Sequence, residues 1–268
     1  MKIYAFTDIH GMGNHFDVMM NYIETQSNGD YKIFFLGDAC DRGPDGYRIM
    51  KALLANPQVV YIKGNHEDMF VKACHAFYDI AAEEGYSATE YAKMINYDIW
   101  EVYPLNDEIR LAVANGGAPT LNSWMIEGCS RRVVAQIADL PVKASIVMYN
   151  GEIPRRIFDM CHAGCIEEEW DNDDVESMIW SRTHFPAKWN PADNIPHVLL
   201  HGHTPTMNLP LYTFDANEDD CADHCPATYS EATKVDLDTG TFFSKRAWIM
   251  DLDTLECFAF GPEGKEEE

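Results

Sequence analysis

The chain has 268 residues, 46% of them hydrophobic, and its 44 Asp and Glu against 20 Lys and Arg give a formal net charge of −24 at pH 7. That apolar content supports a sizeable core and excludes wholesale disorder, and the length fits one large α/β domain or two small ones. The charge disfavours binding along a nucleic-acid backbone, no apolar run reaches the roughly 18 residues of a membrane helix, and MKIYAFTDIH has no signal-peptide pattern, so the reading is a cytoplasmic protein with neither nucleic acid nor membrane as partner.

The first expected strand, Ile3 to Phe6, runs into Thr7-Asp8-Ile9-His10-Gly11. Phe16, Met19, Met20 and Ile23 then repeat with helical spacing, and His15, early in that helix, is expected at the surface. A second strand, Ile33 to Leu36, stops at Gly37-Asp38-Ala39-Cys40-Asp41-Arg42-Gly43. Charges beside an apolar run are costly unless something pairs them. Pro44, tolerated at a helix start, precedes the stripe Tyr47, Met50 and Leu54. A third strand, Val59 to Ile62, leads through Lys63 to Gly64-Asn65-His66-Glu67. Strand, loop, helix, strand is the pattern of a βαβ crossover.

Residues 68 to 135 read as a mostly helical insertion, placed to cap the rim. Met69, Phe70, Ala73, Cys74, Phe77, Ile80 and Ala81 form one stripe, and Tyr91, Met94, Ile95, Ile99 and Trp100 a second. Asn115-Gly116-Gly117 marks a turn. A hairpin is expected from Lys143 to Tyr149, through Asn150-Gly151, to Arg155–Cys161, ending in His162-Ala163-Gly164. Val198 to Leu200 is a further strand, ending in His201-Gly202-His203-Thr204. Residues 213 to 234 read as a long polar loop, 234 to 260 as two or three strands around Asp238-Thr239-Gly240, and 263 to 268 as a frayed acidic tail.

Five strand ends thus carry metal-type or acid–base residues, and ligands of parallel sheets bind outside the carboxyl ends of their strands. One convergent rim is the expectation. Carboxylate, imidazole and amide groups together suit Mn²⁺, Fe or Zn²⁺. Of the eight cysteines, the pairs Cys161/Cys165 and Cys221/Cys225 match structural zinc poorly, and without a signal peptide disulfides are discounted, which leaves buried thiols. His201 reads as a core histidine, and Asp171 to Asp174 as a solvated turn. Asp215 to Asp219 resembles a calcium loop only briefly, since Asp220 and Pro226 stand where an EF-hand needs Gly and Glu.

The ordered set of blocks resembles the calcineurin-like metallophosphoesterases, and within them the phosphoprotein phosphatase branch. That family's blocks G-D-x-H-G, G-D-x-x-D-R-G, G-N-H-E, H-A/G-G and G-H-T appear here as Thr7–Gly11, Gly37–Gly43, Gly64–Glu67, His162–Gly164 and Gly202–Thr204. The resemblance implies a four-layer α/β/β/α sandwich, one domain over residues 1–262, with two divalent metals, Mn²⁺ first. Asp8 and His10 would hold one metal, Asn65, His162 and His203 the other, and Asp38 both. His66 would be the acid–base residue, oriented by Asp41. Arg42 would grip phosphate, with Arg182 of Trp180-Ser181-Arg182 as a second clamp. Three positions depart from the pattern: Thr7 replaces Gly, Pro205 replaces a second ligating His of many relatives, and Asp236 stands where bacterial relatives often carry Asn.

Two cations a few ångströms apart favour anionic bridges, here Asp38 and a hydroxide that attacks phosphorus directly. The implied activity is a phosphomonoesterase for phosphoserine and phosphothreonine in proteins, with phosphotyrosine as a further substrate. Symmetrical dinucleoside tetraphosphate hydrolases share most of these blocks and give the alternative. A catalytically silent scaffold is the third reading, disfavoured because every expected ligand type is present.

Overall fold

The computed structural model describes residues 1–191, 194–209 and 225–266. Strands β1 (Lys2–Phe6), β2 (Tyr31–Phe35) and β3 (Val59–Tyr61) run parallel. On the other side of β1, β9 (Ala247–Asp251), β10 (Cys257–Gly261) and β11 (Gly264–Lys265) continue antiparallel, giving the order β11-β10-β9-β1-β2-β3. The second sheet holds β4 (Lys143–Asn150), β5 (Ile153–Cys161), β6 (His197–His201), β7 (Ala227–Tyr229) and β8 (Lys234–Asp236), in the order β4-β5-β6-β8-β7. Its inner strands β5, β6 and β8 are parallel and its edges antiparallel.

Side-chain alternation along each strand builds the layers. Ile3 and Ala5 of β1, with Phe34 of β2, face the second sheet, where they meet Phe158, Met160, Val198, Leu200 and Val235. Tyr4, Phe6, Ile33 and Phe35 point the other way, into a core shared with helices α1 (Gly13–Ser27), α2 (Gly46–Ala55) and α3 (Asn65–Glu83). The same core extends into α4 (Ala88–Met94), α5 (Asp107–Ala114), α6 (Ala118–Ile126) and α7 (Arg131–Ala138). On the far face of the second sheet, Cys161 and Leu199 pack with Trp170 of α8 (Glu167–Asp171) and Met178 of α9 (Val175–Trp180). The result is helices, sheet, sheet, helices.

Three local readings are corrected. His15 is buried, because its Nε2 donates to the Lys245 carbonyl at 2.8 Å and ties α1 to a turn far along the chain. The expected loop 213–234 contains β7, which pairs with β8 through Thr228 and Val235; the calcium-like stretch 215–219 lies outside the described residues. The acidic end is not frayed as far as Glu266: Gly264 and Lys265 form β11, and the Glu266 carboxylate pairs with Arg246 at 2.5 Å.

Candidate active site

The loops after β1, β2, β3, β5 and β6 meet at one rim. Gly37 makes the first close approach possible. It has φ of 100°, and a Cβ there would lie 2.6 Å from the Gly64 nitrogen, so the loops after β2 and β3 touch backbone to backbone. That contact sets Asp38 against Asn65 and His66, the first turn of α3. Asp8, His10, Asp38, Asp41, Arg42 and His203 all adopt positive φ, between 44° and 70°. Residues with side chains seldom adopt this conformation, and such strain is held where surrounding contacts fix it.

Glu67 supplies much of that fixing. It is fully buried; Oε2 accepts from the Asp38 and Gly64 amides, and Oε1 from the Ala39 amide and the Tyr61 hydroxyl, all at 2.8 Å. Burial and the nearby Asp38 charge raise its pKa. Sequence reasoning gave Glu67 no role, although a Glu three residues past a helix cap is the spacing of a capping box. Thr7 and Thr120 were missed as well. The Thr7 hydroxyl donates to Asp8 Oδ2 at 2.6 Å, and Thr120 Oγ1, on α6, accepts from the Asp41 amide at 2.9 Å. For Thr120 no local pattern signals the contact.

The histidines have their tautomers set from outside the cluster. His10 Nδ1 donates to the Cys40 carbonyl at 3.0 Å and His162 Nδ1 to the Leu36 carbonyl at 2.8 Å, which turns each Nε2 lone pair inward. His10 Nε2 lies 3.7 Å from Asp8 Oδ1 and 3.6 Å from Asp38 Oδ2. His162 Nε2 lies 3.4 Å from Asp38 Oδ1 and 3.0 Å from Asn65 Oδ1, and His203 Nδ1 is 2.9 Å from the same Asn65 oxygen. Ligand atoms of Asp38, His162 and His203 fall within 4.8 Å of one another, as do those of His10, Asp38 and His66.

This donor set fits metal ions. A lone pair of His162 facing the oxygens of Asp38 and Asn65 is repulsive unless a proton or a cation lies between them. Burial works against charging His162, yet Asp38 and Asp8 outweigh it and push its pKa up to about 10. Asp8 Oδ1 is buried without a hydrogen-bond partner, at the point where the first group needs a ligand. Burial, reinforced by neighbouring His66 for His10 and His162 for His203, pushes these two rings the other way, His203 down to about 2, so both stay neutral and keep lone pairs to offer.

His66 belongs to the first group by distance alone. Its Nδ1 is committed to Asp41 Oδ2 at 2.8 Å, while Nε2 faces Arg42 Nη2 at 3.4 Å and Asp38 Oδ2 at 3.8 Å. Burial opposes its charging, but Asp38 and the bond to Asp41 win, and its pKa is raised. Arg182 stands apart from this cluster. It is exposed, and its Nη2 reaches the His203 carbonyl at 3.4 Å, at the rim beside the second group. His201 is fully buried, donating from Nδ1 to the Gly202 carbonyl at 3.1 Å and accepting from the Tyr229 hydroxyl at 2.5 Å.

No curated protein matches the sequence significantly. Among solved structures, a candidate diadenosine tetraphosphatase superposes with a TM-score of 0.53 at 12% identity, over 97% of this chain and 92% of that one. A cold-active protein-tyrosine phosphatase of a psychrophilic Shewanella species gives 0.48 at 15% identity, over 99% and 79%. A protein serine/threonine phosphatase from Saccharomyces cerevisiae gives 0.46 at 11%, over 100% and 77%. The sequence model of the calcineurin-like phosphoesterase family matches residues 1–237, so the chain belongs to that family of dinuclear-metal phosphoester hydrolases.

Proposed function

We propose that the chain is a phosphomonoesterase acting on phosphoserine and phosphothreonine in proteins, with phosphotyrosine as a further substrate. Asp8 and His10 would hold one divalent cation, Asn65, His162 and His203 the other, and Asp38 both. Mn²⁺ is the expected ion, with Fe or Zn²⁺ as alternatives. Such a pair, when bound, supplies a nucleophile from water near neutral pH and offsets phosphoryl charge.

The remaining work falls to the chain's own side chains. The planar fork of Arg42 suits two phosphate oxygens, and Arg182 offers a second guanidinium beside His203. His66 would protonate the leaving oxygen from Nε2. Its bond to Asp41 holds the ring in place and favours the protonated form. One observation carries this reading: the buried pair Asp41–His66 at 2.8 Å, with Arg42 and Asp38 both within 4 Å of its free nitrogen.

The test compares wild type with His66→Asn after Mn²⁺ reconstitution. Substrates are a phosphoserine peptide, p-nitrophenyl phosphate and diadenosine tetraphosphate. The expected loss on the phosphoserine peptide is roughly 10²-fold or more, because an alkoxide leaves poorly without a proton. The loss on p-nitrophenyl phosphate is smaller, since that phenolate needs little help. Efficient cleavage of the tetraphosphate with idle phosphopeptides would replace this reading with the nucleotide one.

A further inference from the structure

Phe243 is 65% exposed, yet its backbone is held. Thr241–Ser244 forms one helical turn between Gly240, φ 68°, and Lys245, φ 58°. The Phe243 and Ser244 amides donate to the Gly240 carbonyl at 2.8 and 2.9 Å, and the Lys245 amide to Thr241 at 3.0 Å. Before the turn, the Gly240 amide donates to Asp238 Oδ1 at 2.8 Å, and the Thr206 amide to the Asp238 carbonyl at 2.7 Å, which ties it to the loop carrying His203. After it, buried His15 holds the Lys245 carbonyl. The exposed ring is therefore presented by a braced turn.

The two aromatic rings of this turn have different surroundings. Phe242 carries Lys245 Nζ at 4.4 Å from its ring centre. Phe243 has the Arg42 guanidinium carbon at 5.8 Å from its own. That guanidinium is the one that reaches His66 Nε2. At the base of the turn, a Cβ built on Gly240 would lie 3.6 Å from Pro205 Cβ and 4.0 Å from Phe243 Cδ2. The ring thus borders the Arg42 guanidinium and is open to solvent.

We infer that Phe243 is a specificity-determining residue that packs against an aromatic leaving group and so raises activity on phosphotyrosine, the further substrate proposed above, relative to phosphoserine. The inference rests on the phosphomonoesterase reading above. An aryl leaving group on a phosphate gripped by Arg42 would come within reach of this ring. An aryl group can stack on it or meet its edge, whereas the single methylene of phosphoserine offers little surface. A ring pair of this kind is worth roughly three- to tenfold in apparent affinity.

The test measures kcat/KM of Mn²⁺-loaded wild type, Phe243→Ala and Phe243→Trp. Substrates are two peptides of one sequence carrying phosphotyrosine or phosphoserine, and diadenosine tetraphosphate. Metal content and thermal midpoint of each variant establish that the site is intact. The expected result is that Phe243→Ala lowers the phosphotyrosine-to-phosphoserine ratio by roughly three- to tenfold, mainly through KM, and that Phe243→Trp restores it. An unchanged ratio, or equal losses on both peptides, overturns the inference and leaves the phosphatase reading standing. A loss confined to the tetraphosphate assigns the ring to a nucleobase and also overturns it. Wild type that carries two cations and is inert on both peptides overturns the phosphatase reading itself.

Discussion

Asp8 shows how much of this site is decided atom by atom. One carboxylate oxygen is held by the Thr7 hydroxyl at 2.6 Å and the His203 amide at 3.1 Å, and the other is left buried and free. Partners that orient a ligand typically change metal affinity by 10- to 100-fold when removed. Thr7→Val, which keeps the shape and removes the hydroxyl, should therefore weaken Mn²⁺ binding about tenfold by titration calorimetry, and Thr7→Ser should restore it. Equal affinity in the valine variant would make the contact incidental. Glu67 has four donors on two oxygens, and an amide offers only one acceptor oxygen. Glu67→Gln should cost about 2 kcal/mol or more of unfolding free energy in urea; a change within error would show that the Asp38 loop holds itself. The residues of the cluster were legible because each sits in a short block after an apolar run. Thr7 was visible only as a departure, and its hydrogen bond was not. His15 was misread because its partner, the Lys245 carbonyl, lies 230 positions away.

At the scale of elements, short apolar runs ending at a glycine loop made β1, β2 and β6 easy to read, and helical spacing did the same for α1, α2 and α3. Strands of only three and two residues, β7 and β11, carry no such signal; pairing with a neighbour makes them strands. Strand β8 raises a different point. Lys234 is fully buried there, with Nζ donating to the His184 carbonyl at 2.7 Å and lying 3.2 Å from His184 Nδ1. Burial lowers its pKa from the usual 10.5 to about 8. Because the folded pKa is the lower one, the unfolded chain binds more protons between pH 8 and 10.5, and this lysine penalises the folded state most at neutral pH. The stability of Lys234→Met relative to wild type should therefore fall by up to about 3 kcal/mol on going from pH 7 to above pH 10. A pH-independent difference in urea unfolding would contradict this.

The whole molecule places the proposed metal ligands and the Arg42 guanidinium together in a chain of net charge −24. Two sheets packed through Ile3, Phe34, Phe158 and Leu200 bring the strand ends together. That convergence could be inferred from five blocks in order, whereas the helices of 68–135 could be read as helices but not as supports of Asp41. The global field should repel phosphorylated substrates at low salt. kcat/KM for a phosphopeptide should accordingly rise a few-fold between about 10 and 200 mM salt as the field is screened. A steep fall would show that the local positive centre dominates at long range.

One cluster built around Asp38 is proposed to hold two metal ions. Metal content per chain after Mn²⁺ reconstitution and desalting, in wild type and in Asp38→Ala, tests it most directly. Two ions per wild-type chain are expected, and fewer than one in the variant, which would still fold. Wild type without bound metal, or a variant that keeps both ions, would contradict it.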